Sequence, residues 1–258
     1  MDAKLKKAVR TLQSELPFLK RAKDSFYLHT RRMLRQPHEN DFRALALIPD
    51  GQDRCYIDIG ANQGQSIESI LLFKPSAQLI SFEPNPNLAM ALANRYKIKT
   101  NISIVAQGLS DAPGELTLFV PSYKGFVYDA LASLDRDAAA SWISEQTVLG
   151  FTPDKLTIDE TRCEVNTLDS HQLAPIFIKI DVQGHEYNVL NGGRETLRRY
   201  EPILLIETFR GDFRTVRLAE EMGYEEYYFD DSRLRKGESK NGPNSFLLTP
   251  GRARVMFE

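Results

Sequence analysis

One short segment places several ionisable side chains on, and directly after, a strand that its apolar residues would bury. The segment is FIKIDVQGHEYNVLNGG, residues 177–193, and it carries Lys179, Asp181, His185 and Glu186. Because side chains alternate along a strand, Lys179 and Asp181 share one face and lie about 7 Å apart. A carboxylate or a histidine at the end of a strand is able to orient a substrate hydroxyl or accept its proton.

A second segment, YIDIGANQG at residues 56–64, indicates a ligand loop between a strand and a helix. Gly60 allows a tight turn, and Gly64 allows the helix to begin close to a ligand or to the strand. Asn62 stands where a dinucleotide fingerprint has its second glycine, which argues against a pyrophosphate. Glu83, at the end of the next strand, stands where an acid accepts hydrogen bonds from a ribose. Together these features favour an adenosine-bearing ligand.

The elements that must position these residues alternate between short β-rich runs and amphipathic helices. This alternation predicts a doubly wound α/β sheet, mostly parallel and covered on both faces. GELTLFVP indicates an added strand, residues 122–160 form a long irregular stretch, and EEYYFD with NSFLLTP predicts a terminal antiparallel hairpin joined by a charged connection. The runs predicted as the parallel strands are CYIDI, QLISFE, ISIVAQ, PIFIKID and PILLIET.

The composition is that of an ordinary globular protein, with 258 residues, 42% of them hydrophobic, and a formal net charge of −2. This charge balance argues against nucleic acid as a partner. The two cysteines, Cys55 and Cys163, form neither a disulfide framework nor a metal-ligand spacing, which favours a reducing compartment. With no signal peptide and no spanning apolar segment in view, we expect a cytoplasmic protein. The sequence gives no indication of its oligomeric state.

The N-terminal segment differs from the rest of the chain because it is strongly basic. We predict an N-terminal basic helical segment over residues 1–50 and a single α/β domain over residues 51–258. The charge of residues 1–36 is typical of a solvated helix face, although a basic amphipathic segment is also able to touch an anionic membrane.

Several motifs, in this order along the chain, resemble the FkbM family of methyltransferases. They are YIDIGANQG, SFEPNP, NISIVAQGLSDAPGELTLFV, NTLDSH and IKIDVQGHEYNVLNGG, within about residues 53–210. The resemblance implies the class I, Rossmann-like methyltransferase fold, S-adenosylmethionine as the methyl donor, and O-methylation of hydroxyls on sugars, glycans or secondary metabolites. It implies a donor site in three parts. The methionine part lies at Asp58, Gly60, Ala61, Asn62 and Gly64, the ribose at Glu83, and the adenine at Gly108, Leu109 and Ser110. Gln183 stands where many relatives carry Glu.

The same resemblance implies that PIFIKID lies beside the first strand, which brings Asp181 close to Gly60 and to the transferable methyl group. Asp181 is then the first candidate to orient or deprotonate the acceptor hydroxyl, and His185 is the alternative. Lys179 lies deeper and needs a carboxylate partner, for which Asp58 and Glu207 on the adjacent strands are the candidates. A structural ion pair competes with catalysis for Lys179 and Glu207, and helix capping competes for His185 and Glu186.

The acceptor itself is left open by the sequence. Tyr123, Phe126, Tyr128 and Trp142 of the irregular stretch either stack on the acceptor or form a small core of their own. The histidines show no metal-ligand spacing, so no metal is expected. The acceptor is a small molecule or a saccharide, and the basic N-terminus favours an anionic one such as a nucleotide sugar. The rival functions are an NAD(P)-dependent oxidoreductase or epimerase and a non-catalytic nucleoside-binding module.

Overall fold

The structure is a computed structural model. It describes residues 7, 11, 30, 31, 33–49, 54–207, 209–230, 232–238, 242 and 244–257. The chain divides into two compact units, one of residues 1–30 with 115–163 and the other of residues 31–114 with 164–258. Each unit is described by itself below.

The regular elements alternate in the predicted way over most of the larger unit. The strands are β1 Cys55–Ile59, β2 Leu79–Phe82, β3 Ile102–Val105, β4 Gly108–Leu109, β5 Gly114–Tyr123, β6 Phe126–Val127, β7 Leu156–Asn166, β8 Pro175–Ile180, β9 Ile203–Glu207, β10 Glu225–Phe229, β11 Leu234–Lys236 and β12 Asn244–Leu248. The α-helices are α1 Gln65–Phe73, α2 Pro86–Tyr96, α3 Arg136–Ser141, α4 Glu186–Asn191, α5 Arg194–Tyr200, α6 Phe213–Glu221 and α7 Pro250–Phe257. A 3₁₀ helix, Asn40–Leu47, precedes β1.

The main sheet has eight strands in the order β11-β10-β12-β9-β8-β1-β2-β3. Its five adjacent strands β9-β8-β1-β2-β3 are the five predicted apolar runs, and they pair in parallel. The order reverses at β1, which has β2 on one side and β8 on the other, so the carboxyl ends of β1 and β8 mark the topological switch point. The predicted class I, Rossmann-like α/β fold is therefore confirmed.

The predicted terminal hairpin is present, since β12 pairs antiparallel with both β9 and β10. The structure corrects one detail: the charged connection between β10 and β12 is not only a loop, because β11 within it pairs antiparallel with β10. Two of its three residues, Arg235 and Lys236, are exposed charged side chains. Charge of this kind is usual on an edge strand, where it discourages pairing with other chains, and it hid the strand from apolar patterning.

Both faces of the main sheet are buried, which explains the unbroken apolar runs. One face carries Tyr56, Phe177 and Leu205 and packs against α1, α2 and the 3₁₀ helix. The other carries Ile178 and Leu204, among others, and packs against α4, α5 and α6. Because side chains alternate, Asp58 and Lys179 belong to the first face, where apolar residues surround them.

The smaller unit contains more regular structure than the predicted irregular stretch over residues 122–160. The structure adds β6, α3 and the long strand β7, which lies beside β5. Strand β7 was missed because most of its outward side chains are charged and exposed, so no apolar run signals it. Tyr123, Phe126 and Tyr128 form a core within this unit, whereas Trp142 is 46% exposed. Three of the four aromatic candidates therefore have a structural role.

The predicted N-terminal helices lie largely outside the described residues. Two described residues of this segment contact the 115–163 part of the same smaller unit. The Lys7 Nζ donates to the main-chain oxygen of Glu145 at 2.6 Å, and the Leu149 amide donates to the Thr11 hydroxyl at 2.9 Å. In the part of the chain that the structure describes, no helix has the length and apolar character needed to cross a bilayer. Contact of residues 1–36 with a membrane surface stays a prediction.

Candidate functional site

The loop after β1 is fixed by its contact with the end of β8. The Asp181 amide donates to the Ile59 carbonyl oxygen at 3.0 Å. Gly60 has φ +88°, and a Cβ on it would lie 1.9 Å from the Asp181 carbonyl oxygen. Only glycine fits here, so Asp181 lies beside Gly60 as predicted. Gly64 has a different role, because a Cβ there would meet Leu92 of α2 at 2.9 Å. Its missing side chain makes room for α2 and not for the strand, and its predicted place beside a ligand stays a prediction.

Glu83 holds this loop from the end of β2. Its carboxylate accepts hydrogen bonds from the amides of Asn62, at 2.6 Å, and Asn85, at 2.9 Å. Asn85 is in turn the N-cap of α2. These two backbone contacts hold the Glu83 carboxylate beside the loop that follows β1. The ribose contact stays a prediction.

Asp58 is fully buried, with 0% exposure, and only one of its oxygens is occupied. Its Oδ2 accepts from the hydroxyls of Ser66, at 2.8 Å, and Ser81, at 2.9 Å. Burial raises the pKa of Asp58, against the opposing effects of the serine hydrogen bonds and the Lys179 charge. Within the described residues, its Oδ1 and the buried Oδ1 of Asn62 have no hydrogen-bond partner. Two unsatisfied acceptors at one loop indicate a ligand that donates hydrogen bonds.

Lys179 carries a buried positive charge at the end of β8, with 2% exposure. Its Nζ lies 3.3 Å from the Asp181 Oδ2. The expected partners were Asp58 and Glu207, so the structure corrects this prediction: the ion pair forms with Asp181, the residue directly after β8. The physical reason is that Asp181 lies two residues beyond Lys179 on the same side of the sheet, within reach of its Nζ.

Asp181 and Glu207 form a proton-sharing pair across β8 and β9. The Gln183 Nε2 donates to the Asp181 Oδ1 at 2.8 Å and to the Glu207 Oε2 at 3.3 Å. Burial, then the hydrogen bond and the charge of Asp181, raise the pKa of Glu207 to about 8. Burial works against ionisation of Asp181 as well, but the Lys179 charge and the hydrogen bonds from Glu207 and Gln183 outweigh it and lower its pKa. The two shifts have opposite directions, so the charged form is favoured at Asp181 and disfavoured at Glu207.

A third carboxylate, that of Glu39, faces the same cluster from the segment before β1. The Asn244 Nδ2, opposite Glu207 in the pairing of β12 with β9, donates to the Glu39 Oε2 at 2.9 Å. Burial disfavours the Glu39 charge, but His38 and Lys179 outweigh it, so the pKa of Glu39 is lowered. Sequence reasoning missed Glu39 because no local motif surrounds it. Among the described residues, no three His, Cys, Asp or Glu side chains are grouped as metal ligands.

His185 and Glu186 begin the helix that follows β8. The Glu186 carboxylate accepts from the Gly184 amide at 3.1 Å, which is the predicted capping role. The His185 Nε2 lies 3.0 Å from the Ser110 hydroxyl, and burial lowers the pKa of the ring. A predicted catalytic residue and a predicted adenine-side residue are therefore in direct contact.

The remaining residues predicted to contact the donor are Gly108, Leu109 and Ala61, which have no side chain or one that is buried in an apolar core. Gly108 and Leu109 form β4, which pairs in parallel with the end of β7. The Leu109 side chain belongs to the apolar core on the helix α4 face, and Ala61 belongs to the core on the opposite face. Their predicted contacts with the donor would therefore involve the main chain.

The comparison with known protein families decides the family. The model described as "Methyltransferase FkbM domain" matches residues 58–229. This chain belongs to the FkbM methyltransferase family. The match includes both strand ends described above, and it confirms the resemblance carried by the motifs.

Individual relatives of this FkbM chain are distant. A "2-O-methyltransferase NoeI" from Sinorhizobium fredii (strain NBRC 101917 / NGR234) is 26% identical over 161 residues, which are 61% of this chain and 64% of the relative. A crystal structure of a methyltransferase FkbM from Methylobacillus flagellatus KT shares 15% identity and a TM-score of 0.48, over 78% of this chain and 45% of that one. A precorrin-6y C5,15-methyltransferase from Geobacter metallireducens GS-15 shares 13% identity and a TM-score of 0.37, over 80% and 82%.

Proposed function

We propose that this protein is an S-adenosylmethionine-dependent O-methyltransferase that acts on a hydroxyl of a sugar, a glycan or a secondary metabolite. Family membership supports methyl transfer, and the name of the distant relative supports an oxygen acceptor. The observation that carries the proposal is the contact of Gly60 with the Asp181 main chain, because it joins the donor loop to the carboxylate pair.

The residues around the β1 loop fit the proposed donor. S-adenosylmethionine brings an ammonium group, a ribose diol and a sulfonium-bound methyl group that an acceptor oxygen can take up. The unpaired Oδ1 atoms of Asp58 and Asn62 suit the ammonium. The Glu83 carboxylate, held beside the loop after β1, is the proposed acceptor of hydrogen bonds from the ribose, and the β4 backbone with Ser110 is the proposed wall for the adenine.

The acceptor hydroxyl is proposed to lie at the ends of β8 and β9. There, Asp181 and Glu207 offer carboxyl oxygens that accept a hydrogen bond from the hydroxyl, and Lys179 fixes Asp181 in place. These two carboxyls are favoured over His185 because its ring already contacts Ser110. Holding the oxygen in line with the methyl group supplies much of the rate in a transfer of this kind.

The proposal is tested by calorimetric titration with S-adenosylhomocysteine, with NAD as the parallel ligand. We expect saturable binding of S-adenosylhomocysteine alone. Glu83→Gln should weaken it about tenfold, because the loss of one charge-assisted contact is worth about 1.4 kcal/mol or more. The matched control is Glu220→Gln, a change at an exposed site on α6. Binding of NAD alone would overturn the proposal in favour of an oxidoreductase.

Turnover is tested with methyl-labelled S-adenosylmethionine and a panel of monosaccharides, methyl glycosides and polyol metabolites. Asp181→Ala should keep donor binding and lose methyl transfer. Donor binding by both proteins, without label transfer to any hydroxyl compound, would instead favour a nucleoside-binding module. Equal turnover in the wild type and in Asp181→Ala would remove Asp181 from the reaction.

A further inference from the structure

We infer that Glu207 is the group that accepts the proton of the acceptor hydroxyl, and that Gln183 is a positioning residue that holds Glu207 against Asp181. This inference rests on the proposed function and deepens it.

The first support is the register of the two strands. Ile180 of β8 is paired with Ile206 of β9, so Asp181 and Glu207 leave the sheet side by side on strands about 4.8 Å apart. The Gln183 amide lies across their open side and donates one hydrogen bond to each carboxyl group. Two carboxyl groups held this close share a proton, because both cannot ionise at little cost.

The second support is the backbone at Gln183. Its φ is +53°, in the left-handed region that side chains other than Asn, Asp and Gly seldom adopt. A conformation of this kind costs about 1 kcal/mol or more and persists where the surrounding structure enforces it, often at a functional site. Here the loop turns back after β8, and the Gln183 side chain reaches the carboxyl group two residues earlier.

The third support is the distribution of charge around Glu207. Asp181 and Lys179 face it from β8, and Glu39 faces it from the segment before β1. Lys179 already forms its ion pair with Asp181, which stays ionised and is a weak base. Glu207 has a pKa raised to about 8, and a general base works best when its pKa lies near the working pH. Of the two carboxyls, Glu207 is therefore suited to take a proton.

The proposed step balances in atoms and charge. The acceptor oxygen forms its bond to the methyl carbon while the carbon–sulfur bond breaks and leaves its electron pair on sulfur. The hydroxyl proton passes to the ionised Glu207 carboxylate, which becomes neutral and later returns the proton to water. Asp181 stays ionised throughout and accepts the hydrogen bond that orients the hydroxyl.

The test is carbon-13 NMR of the full chain with its glutamate carboxyl carbons labelled, in the complex with S-adenosylhomocysteine. Glu207→Gln identifies the resonance by removing it. In the wild type we expect this resonance to titrate near pH 8. Gln183→Met should raise the midpoint by about 0.5 pH unit, since the amide favours the ionised form, and Asp181→Asn should lower it by about 1 unit or more.

A matched control is available at Gln172. It also has a left-handed backbone, with φ +51°, but it lies before β8 and not after it. Gln172→Met therefore repeats the chemical change at the same kind of backbone position, away from the carboxyl pair. We expect it to leave the Glu207 midpoint unchanged.

Two results would overturn the inference. A Glu207 resonance that titrates in the ordinary range of a glutamate would remove its role as the base, and a midpoint that does not respond to Gln183→Met would remove Gln183 as its positioning residue. Failure of S-adenosylhomocysteine to bind would sink the proposed function instead, and the NMR titration without ligand would still decide on Glu207. Once an acceptor is known, kcat/KM should decrease as the pH is lowered through the midpoint found by NMR. In Gln183→Met, the pH at which kcat/KM decreases should rise by the same amount as the NMR midpoint.

Discussion

The carboxyl ends of β1 and β8 lie next to each other, yet the acidic side chains around them have different kinds of partner. Around β1, Asp58 and Glu83 accept hydrogen bonds from serine hydroxyls and backbone amides. Around β8 and β9, Asp181 and Glu207 contact each other, and both accept a hydrogen bond from Gln183. Asp181 also forms an ion pair with Lys179. One strand end is fixed by groups that do not titrate, and the other by groups that do.

Under the proposed function, this difference would separate two tasks of the reaction. Donors from the backbone hold a carboxylate in one geometry over a wide pH range, which suits binding of the methyl donor. A pair of carboxyl groups that share a proton changes its charge with little movement, which suits proton transfer. The contact between Gly60 and the Asp181 main chain holds the two arrangements in register.

The largest expected effect comes from breaking that contact with Gly60→Ala. The added Cβ would overlap a backbone oxygen at a left-handed position, so we expect a loss of about 4 kcal/mol in the free energy of unfolding, from urea denaturation. Gly223→Ala is the control, because Gly223 has φ +81° and no atom within 4 Å of the added Cβ. It should cost about 1 kcal/mol. Equal losses would mean that the close approach has no energetic weight.

Removal of the buried positive charge is expected to have the next largest effect. Lys179→Met leaves the carboxylates without their counter-charge, and we expect it to destabilise the protein by about 3 kcal/mol. This is the low end for a buried ion pair, because the Asp181 side chain is 32% exposed. Lys236→Met removes an exposed ion pair with Glu225 and should leave the stability nearly unchanged. A similar small change for Lys179→Met would contradict the account of the cluster.

The last expected effect is a change in the pH dependence of stability in Glu207→Gln, seen as a change of slope and not as a loss at one pH. Because the folded-state pKa of Glu207, about 8, lies above its unfolded value, the stabilisation is present below the unfolded pKa and is lost as pH rises through the folded one. Wild-type stability should therefore include a decline between about pH 4.5 and pH 8 that the variant lacks. Urea denaturation across this range measures it. Parallel curves for the two proteins would place the proton elsewhere.

The parts of the molecule that depend on local patterns were predictable from the sequence. The five parallel strands have unbroken apolar runs because both faces are covered, and the turn at Gly60 depends on a glycine in a short loop. The partner of Lys179 was not predictable, because Asp58, Asp181 and Glu207 all lie on its side of the sheet and local patterns do not say which carboxylate it reaches.

Two further features required contacts between remote parts of the chain. Glu39 comes to the cluster through Asn244, which is far away in sequence, and the pairing of β7 depends on backbone hydrogen bonds without an apolar pattern. The strand order beside β1 was available only through the resemblance to a family. Alternation within a strand gave the shared face of Lys179 and Asp181, but it could not show that they pair.

The position of Gly60 against Asp181 also constrains how the protein is made. Strand β1 is synthesised early, while β8, its neighbour in the sheet, follows only after the whole segment over residues 115–163. When β1 to β3 have been synthesised, the position of β8 beside β1 is therefore still empty, and the loop at Gly60 lacks its contact with Asp181. Contacts between such distant segments slow folding, because long loops must be closed first. The contact between Gly60 and Asp181 can form only late in synthesis, so a ligand that needs this contact cannot assist the folding of the first half of the chain.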